Sequence, residues 1–157
     1  MPATVVYTDG SCLGNPGRGG WAWAVPDGPY ESGADAATTN QRMEIVAVLR
    51  ALETLVPHAG PEGIAVHSDS TYVVKCFTDK WWAGWERRGW KNSAGAPVAN
   101  RDLWEPLFAL VLHGSVPITF SWVKGHSGDK WNDVVDLLAT SAASTGSGKS
   151  GPLSSAL

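Results

Sequence analysis

Cysteine is scarce in this chain: 157 residues include only Cys12 and Cys76. With no second Cys or His at zinc-ligand spacing beside either, a disulfide framework and a thiolate metal site are both excluded, and reduced thiols are expected. Long apolar runs are missing too, since no stretch approaches the roughly 18 uninterrupted residues of a membrane span. The chain passes from Met1 into strand-like residues without a basic or apolar leader. A soluble, cytoplasmic protein with no membrane partner is expected. A surplus of positive charge is also lacking, and the net charge of −3 taken alone argues against a nucleic-acid partner. Its distribution argues the other way: between Lys80 and Arg101, five basic residues stand against Glu86 alone.

What is present fits one α/β domain over residues 1–143. The segment 144–157, "STGSGKSGPLSSAL", has the Ser/Gly-rich composition of a flexible tail and is assigned no fold. Residues 4–8 and 20–25, with a weaker 29–35, predict an antiparallel meander. The period then changes. Ile45, Val48, Leu49, Leu52, Leu55 and Val56 recur at helical spacing, with Thr38-x-x-Gln41 as a capping box and Pro57 as the stop. Further strands are predicted at 64–69 and 118–125, and helices from about Thr71, over 79–88 and 102–112, and along a final stripe of Trp131, Val135, Leu138 and Ala142. Pro106 conflicts with a helix that starts at Asn100, so that helix must begin later or kink.

Two of the strands end alike, "TVVYT" before Asp9 and "IAVHS" before Asp69. A strand, a crossover helix and a second strand favour parallel neighbours about 4.8 Å apart, so both carboxylates should reach the sheet edge where α/β proteins place ligands. Glu44 lies on the sheet-facing side of the intervening helix, where a lone acid would pair with Arg18 or Arg42. Beside Asp9 and Asp69, a shared divalent cation accounts for all three. The last helix offers Asp133 and Asp136, which spacing alone does not separate. Hard oxygen donors without Cys or paired His suit Mg²⁺ or Mn²⁺, and such a cluster can hold two ions for phosphodiester cleavage.

"GSCLGNPGRGG" lacks the G-x-x-x-x-G-K-[ST] pattern and precedes a strand, so it is not read as a nucleotide cradle. It makes either a loose hairpin or a close backbone approach to a sugar-phosphate strand. "KWWAGWERRGWKNSAG" interleaves Lys80, Arg87, Arg88 and Lys91 with four tryptophans. Trp81 and Trp85 share a helix face and read as core packing, whereas the cations form a track for a nucleic-acid backbone.

"YTDGSCLGNPGRGGWAW", "TTNQRMEIVAVLRAL", "HSDSTYVV", "KWWAGWERRGWKNSAGAPVANRDLW" and "WVKGHSGDKWNDVVDLLA" together resemble the type 1 ribonucleases H over about residues 4–142. The resemblance implies a ribonuclease H-like five-stranded mixed sheet, three antiparallel strands then two parallel, flanked by helices. It implies a monomeric endonuclease that hydrolyses the RNA strand of RNA–DNA hybrids with two Mg²⁺ ions, Mn²⁺ substituting, and leaves 5′-phosphate and 3′-hydroxyl ends. By the same resemblance Asp9, Glu44, Asp69 and Asp136 are the metal carboxylates, the motif His126, Gly128, Asn132, Asp136 selecting Asp136 over Asp133. Asp9 would bridge the ions, and His126 would carry a proton or aid product release. Cys12, Gly14, Asn15, Asn40 and Gln41 would lie near the RNA, and Thr39 with Asn15 would take a DNA phosphate. Trp81, Arg87, Arg88 and Lys91 would belong to the basic protrusion. Gln41, Thr71 and Ser93-Ala94-Gly95-Ala96 depart from the family pattern, and the last of these implies weaker hybrid binding. The rival readings are a related two-metal DNA nuclease or strand-transfer enzyme and a non-catalytic hybrid-binding module.

Overall fold

The computed structural model describes residues 2–125 and 127–152. Strands β1 (Thr4–Leu13), β2 (Gly17–Ala24) and β3 (Pro29–Thr38) form the antiparallel meander. Helix α1 (Asn40–Leu55) crosses to β4 (Ile64–Ser68), and α2 (Thr71–Thr78), α3 (Trp81–Arg87) and α4 (Arg101–Val111) lead to β5 (Ile118–Trp122) and α5 (Lys130–Thr145). Both β4 and β5 add in parallel, as the crossover rule requires.

A sixth strand, β6 (Ser150–Pro152), pairs antiparallel with β3 and gives the order β5-β4-β1-β2-β3-β6. The expected five strands are therefore present, and the segment from 144 onward is not uniformly without fold. Thr145 closes α5, Gly146 caps it in the left-handed region, and the Ser32 amide donates to the Lys149 carbonyl at 2.7 Å. Residues 153–157 lie outside the described residues.

The main core lies between α1 and the sheet, where Val6, Ile45, Val48, Leu52, Ile64 and Val66 are buried together with Val73, Trp104 and Leu107. On the other face α5 packs Val135, Leu138 and Ala139 against Ala22, Ala24 and Tyr30. Two details differ from expectation. The cap of α1 is Thr39, whose hydroxyl accepts from the Arg42 amide at 3.2 Å; Thr38 remains in β3, paired with Gly17. Helix α4 runs through Pro106 from Arg101, so the ring is accommodated inside the helix at the loss of one amide donor.

Candidate active site

Parallel pairing of β1 with β4 ends at Thr8 opposite Ser68, and the residue that follows each of these is an aspartate. Asp9 and Asp69 thus emerge side by side, and the first turns of α1 bring Glu44 in from the helix layer. Each of the three offers an oxygen within 4.8 Å of the others. Asp9 is buried, at 4 % exposure, whereas Glu44 and Asp69 are half-buried.

The approach of Glu44 depends on Gly10. Its amide donates to the Glu44 carboxylate and also lies 2.9 Å from Asp9 Oδ1. A Cβ at Gly10 would run into the α1 backbone at Met43 and Glu44, so a residue without one is what lets the helix settle on the strand end. The cations that could have neutralised Glu44 are engaged elsewhere. Arg42 makes a two-pronged bridge to Asp102 at 2.9 and 2.7 Å, and Arg18 donates to the Ser144 carbonyl at 2.8 Å.

Three acids without a cation resist ionising together. Burial, and then the charges of Glu44 and Asp69, push the Asp9 carboxyl up to about 11. Burial also pushes Glu44 up, to about 8, offset by hydrogen bonds from Asp9, the Gly10 amide and Ser70. Asp9 and Glu44 also share a hydrogen bond, so the pair keeps a proton well above the usual carboxylate range. Asp136, half-buried on α5, adds to the field that raises Asp9, while Asp133 one turn earlier is exposed. Of the two, Asp136 is the one whose charge adds to the raising of Asp9, although it stands outside the tight group of three.

His126 lies outside the described residues. Around the carboxylates, the other expected contact residues fall into two groups. Cys12 near the end of β1, with Gly14 and Asn15 on the β1–β2 loop, stands beside Thr39, Asn40 and Gln41 at the start of α1, joined by the Asn40 amide donating to Asn15 Oδ1 at 3.2 Å and by Cys12 Sγ to the Thr38 carbonyl at 3.5 Å. Gly14, Asn15, Asn40 and Gln41 are exposed. Arg87, Arg88 and Lys91 form the second group on the α3 protrusion, all exposed, with Arg88 Nε donating to the Lys91 carbonyl at 3.0 Å. Trp81 and Trp85 are half-buried and pack on the core, as their shared face predicted. Trp81 also lines a cleft of about 380 Å³ with Arg87 and Arg88, so it has a foot in both roles.

Helices α2 and α4 are tied together by Tyr72, whose hydroxyl accepts from Trp104 Nε1 and Asn100 Nδ2, each at 3.2 Å. Sequence reasoning passes over Tyr72, as it does Gly10 and Ser70. Ser70 carries a signal, a serine just ahead of a helix, and it does cap α2 by accepting from the Val73 amide at 3.2 Å. Both thiols are free; Cys76 is buried, which raises its pKa to about 12 and makes it inert.

The RNase H family model matches residues 1–144. Ribonuclease H of Xanthomonas campestris pv. campestris is 49% identical over 146 residues, covering 91% of this chain and 93% of that protein. Ribonuclease H of Nitratidesulfovibrio vulgaris strain DP4 is 51% identical over 142 residues, covering 88% of each. Among solved structures, LC9-RNase H1, described as a type 1 RNase H with the type 2 active-site motif, superposes with a TM-score of 0.79 at 29% identity over 97% of this chain and 79% of that one. LC11-RNase H1, solved in complex with RNA/DNA hybrid, shares the fold at a TM-score of 0.68 and 20% identity over 90% of this chain and 97% of that one.

Proposed function

Because the chain belongs to the ribonuclease H family, we propose that it cleaves the RNA strand of RNA–DNA hybrids as a Mg²⁺-dependent endonuclease, leaving 5′-phosphate and 3′-hydroxyl ends. The observation that carries this reading is the convergence of Asp9, Glu44 and Asp69 within 4.8 Å at one sheet edge. Three clustered oxygen-only donors fit hard divalent cations, so these residues, with Asp136 alongside, would hold two Mg²⁺, with Mn²⁺ able to substitute. When bound, such ions supply charge neutralisation and polarisation of water and phosphoryl oxygens.

The chain's own groups do the rest. The exposed Gly14–Asn15 backbone and the Asn40 and Gln41 side chains offer donors to the RNA strand, where 2′-hydroxyls distinguish ribose from deoxyribose. Thr39 and Asn15 take a DNA phosphate, and Arg87, Arg88 and Lys91 follow the DNA backbone with Trp81 beside them. Asp9, the buried member of the cluster, would hold metal together with Glu44 and Asp69. His126 is assigned proton transfer or product release. The reading includes a cytoplasmic monomer, to be checked by sedimentation and cell fractionation.

One gel tests the assignment: hybrid, duplex DNA and single-stranded RNA, each incubated with EDTA or Mg²⁺. Cleavage of hybrid alone, and with Mg²⁺ alone, is expected. Cleavage of duplex DNA would point to the related DNA nuclease chemistry, and binding without cleavage to a recognition module.

A further inference from the structure

Trp122 is the last residue of β5 and keeps 51% of its surface exposed, an unusual place for the largest apolar side chain. Packing alone does not explain it. With Phe120 and Val74 the ring walls an apolar cleft of about 450 Å³ beside α2, which a smaller aliphatic residue would wall as well. What the indole adds is one N–H, and that N–H donates to the Asp69 main-chain carbonyl at 3.0 Å.

The location of that carbonyl matters. Ladder pairing between β4 and β5 stops at Ser68 opposite Trp122, and the Val123 amide, at 2.9 Å, uses the Ser68 carbonyl. Asp69 therefore sits one residue past the ladder, where the chain turns from strand into helix and ladder bonds no longer orient the peptide plane. Ser68 Oγ holds the following amide, Ser70 N–H, at 3.0 Å, and Ser70 in turn caps α2 and donates to Glu44. On the side-chain flank, a Cβ on Gly125 would come within 2.9 Å of Asp69 Oδ2, so the chain after β5 runs hard against that carboxylate.

The geometry points to Trp122 as a positioning residue: its indole N–H, on the carbonyl side, and Ser68 Oγ, on the amide side, together set the Asp69–Ser70 peptide plane and thereby the direction in which the Asp69 carboxylate would meet the metal. This rests on the proposed metal-dependent cleavage. The groups that orient metal ligands from behind typically affect metal affinity or activity by about 10–100-fold.

The test uses the full chain with Trp122→Phe, which keeps an aromatic ring over the cleft and removes the donor. Phe120→Leu serves as the control, since it thins the same wall without touching Asp69. Mg²⁺ binding is titrated by calorimetry without substrate, kcat and KM are measured on hybrid, and melting is followed in EDTA. For Trp122→Phe, Mg²⁺ affinity and kcat are expected to fall about tenfold with KM within about twofold, whereas Phe120→Leu lowers the melting temperature alone. Should Trp122→Phe fail to fold, 3-benzothienylalanine at position 122 keeps the bicyclic shape and still lacks the N–H. Unchanged metal affinity and kcat would overturn the inference. So would a change confined to KM, which makes the indole a substrate contact, or equal metal loss in Phe120→Leu, which leaves only packing. If the unaltered chain binds Mg²⁺ but does not cleave hybrid, the catalytic reading fails while the calorimetric result still decides the role of Trp122.

Discussion

The Gly10 amide and the Glu44 carboxylate, 34 residues apart in sequence, are joined by a hydrogen bond that locks α1 onto β1. A methyl group at position 10 would meet the α1 backbone and not a yielding side chain. Gly10→Ala is therefore expected to destabilise the fold by about 1–3 kcal/mol in urea titrations. Cleavage should fall further than the folded fraction does, because the helix that moves is the one carrying Glu44.

The crowded acids give the metal-free protein a pH signature. Asp9, at about 11, and Glu44, at about 8, both sit above their unfolded values, so the stability they contribute is complete below about pH 4 and is lost as pH rises through the folded values. In EDTA the melting temperature should fall between pH 6 and pH 9. Saturating Mg²⁺ should flatten that slope, and a flat EDTA profile would contradict the clustering.

Asp136 and Asp133 separate the same way. Asp136→Asn removes a charge that acts on Asp9, and Asp133→Asn removes an exposed one. The first is expected to abolish most cleavage, and Asp9→Asn to do so while also raising the melting temperature in EDTA through relief of repulsion. Asp133→Asn should retain activity within about twofold, a surface change of small effect.

Arg87 and Arg88 lie on the exposed protrusion, where neutralising a phosphate adds a fixed increment of salt dependence. Changing each to Ala should weaken hybrid binding about equally for all sequences. The slope of log K against log salt should drop by about one for each guanidinium removed.

Tyr72 links α2 to α4 through one hydroxyl. In Tyr72→Phe the Trp104 indole N–H, on a fully buried side chain, is deprived of its acceptor, at a cost of about 1–3 kcal/mol. Equilibrium unfolding measures this directly, and hybrid affinity should weaken with it as the α3–α4 region loosens.

The strand-end aspartates and the phase of Glu44 are legible in the sequence because each follows from a periodicity: two residues per strand repeat, 3.6 per helical turn, and a crossover that makes neighbours of β1 and β4. The cap of α1 falls one residue later than its pattern suggests because Thr38 and Thr39 are chemically alike, and only the pairing of Thr38 with Gly17 keeps it in the strand. Strand β6 leaves no trace in the pattern, since its bonds to β3 run through the backbone of Ser, Gly and Lys and bury no alternating side chains. The Trp122 tether is equally invisible, for its acceptor is a main-chain carbonyl whose position only the folded β4–β5 register sets.

With β6 paired to the start of β3, part of one rim of the sheet is covered by residues 150–152, and β5 forms the opposite rim. Strand-to-strand aggregation between copies therefore meets a shielded stretch at Pro29–Glu31, and removal of residues 147–157 would reopen it without touching the carboxylates.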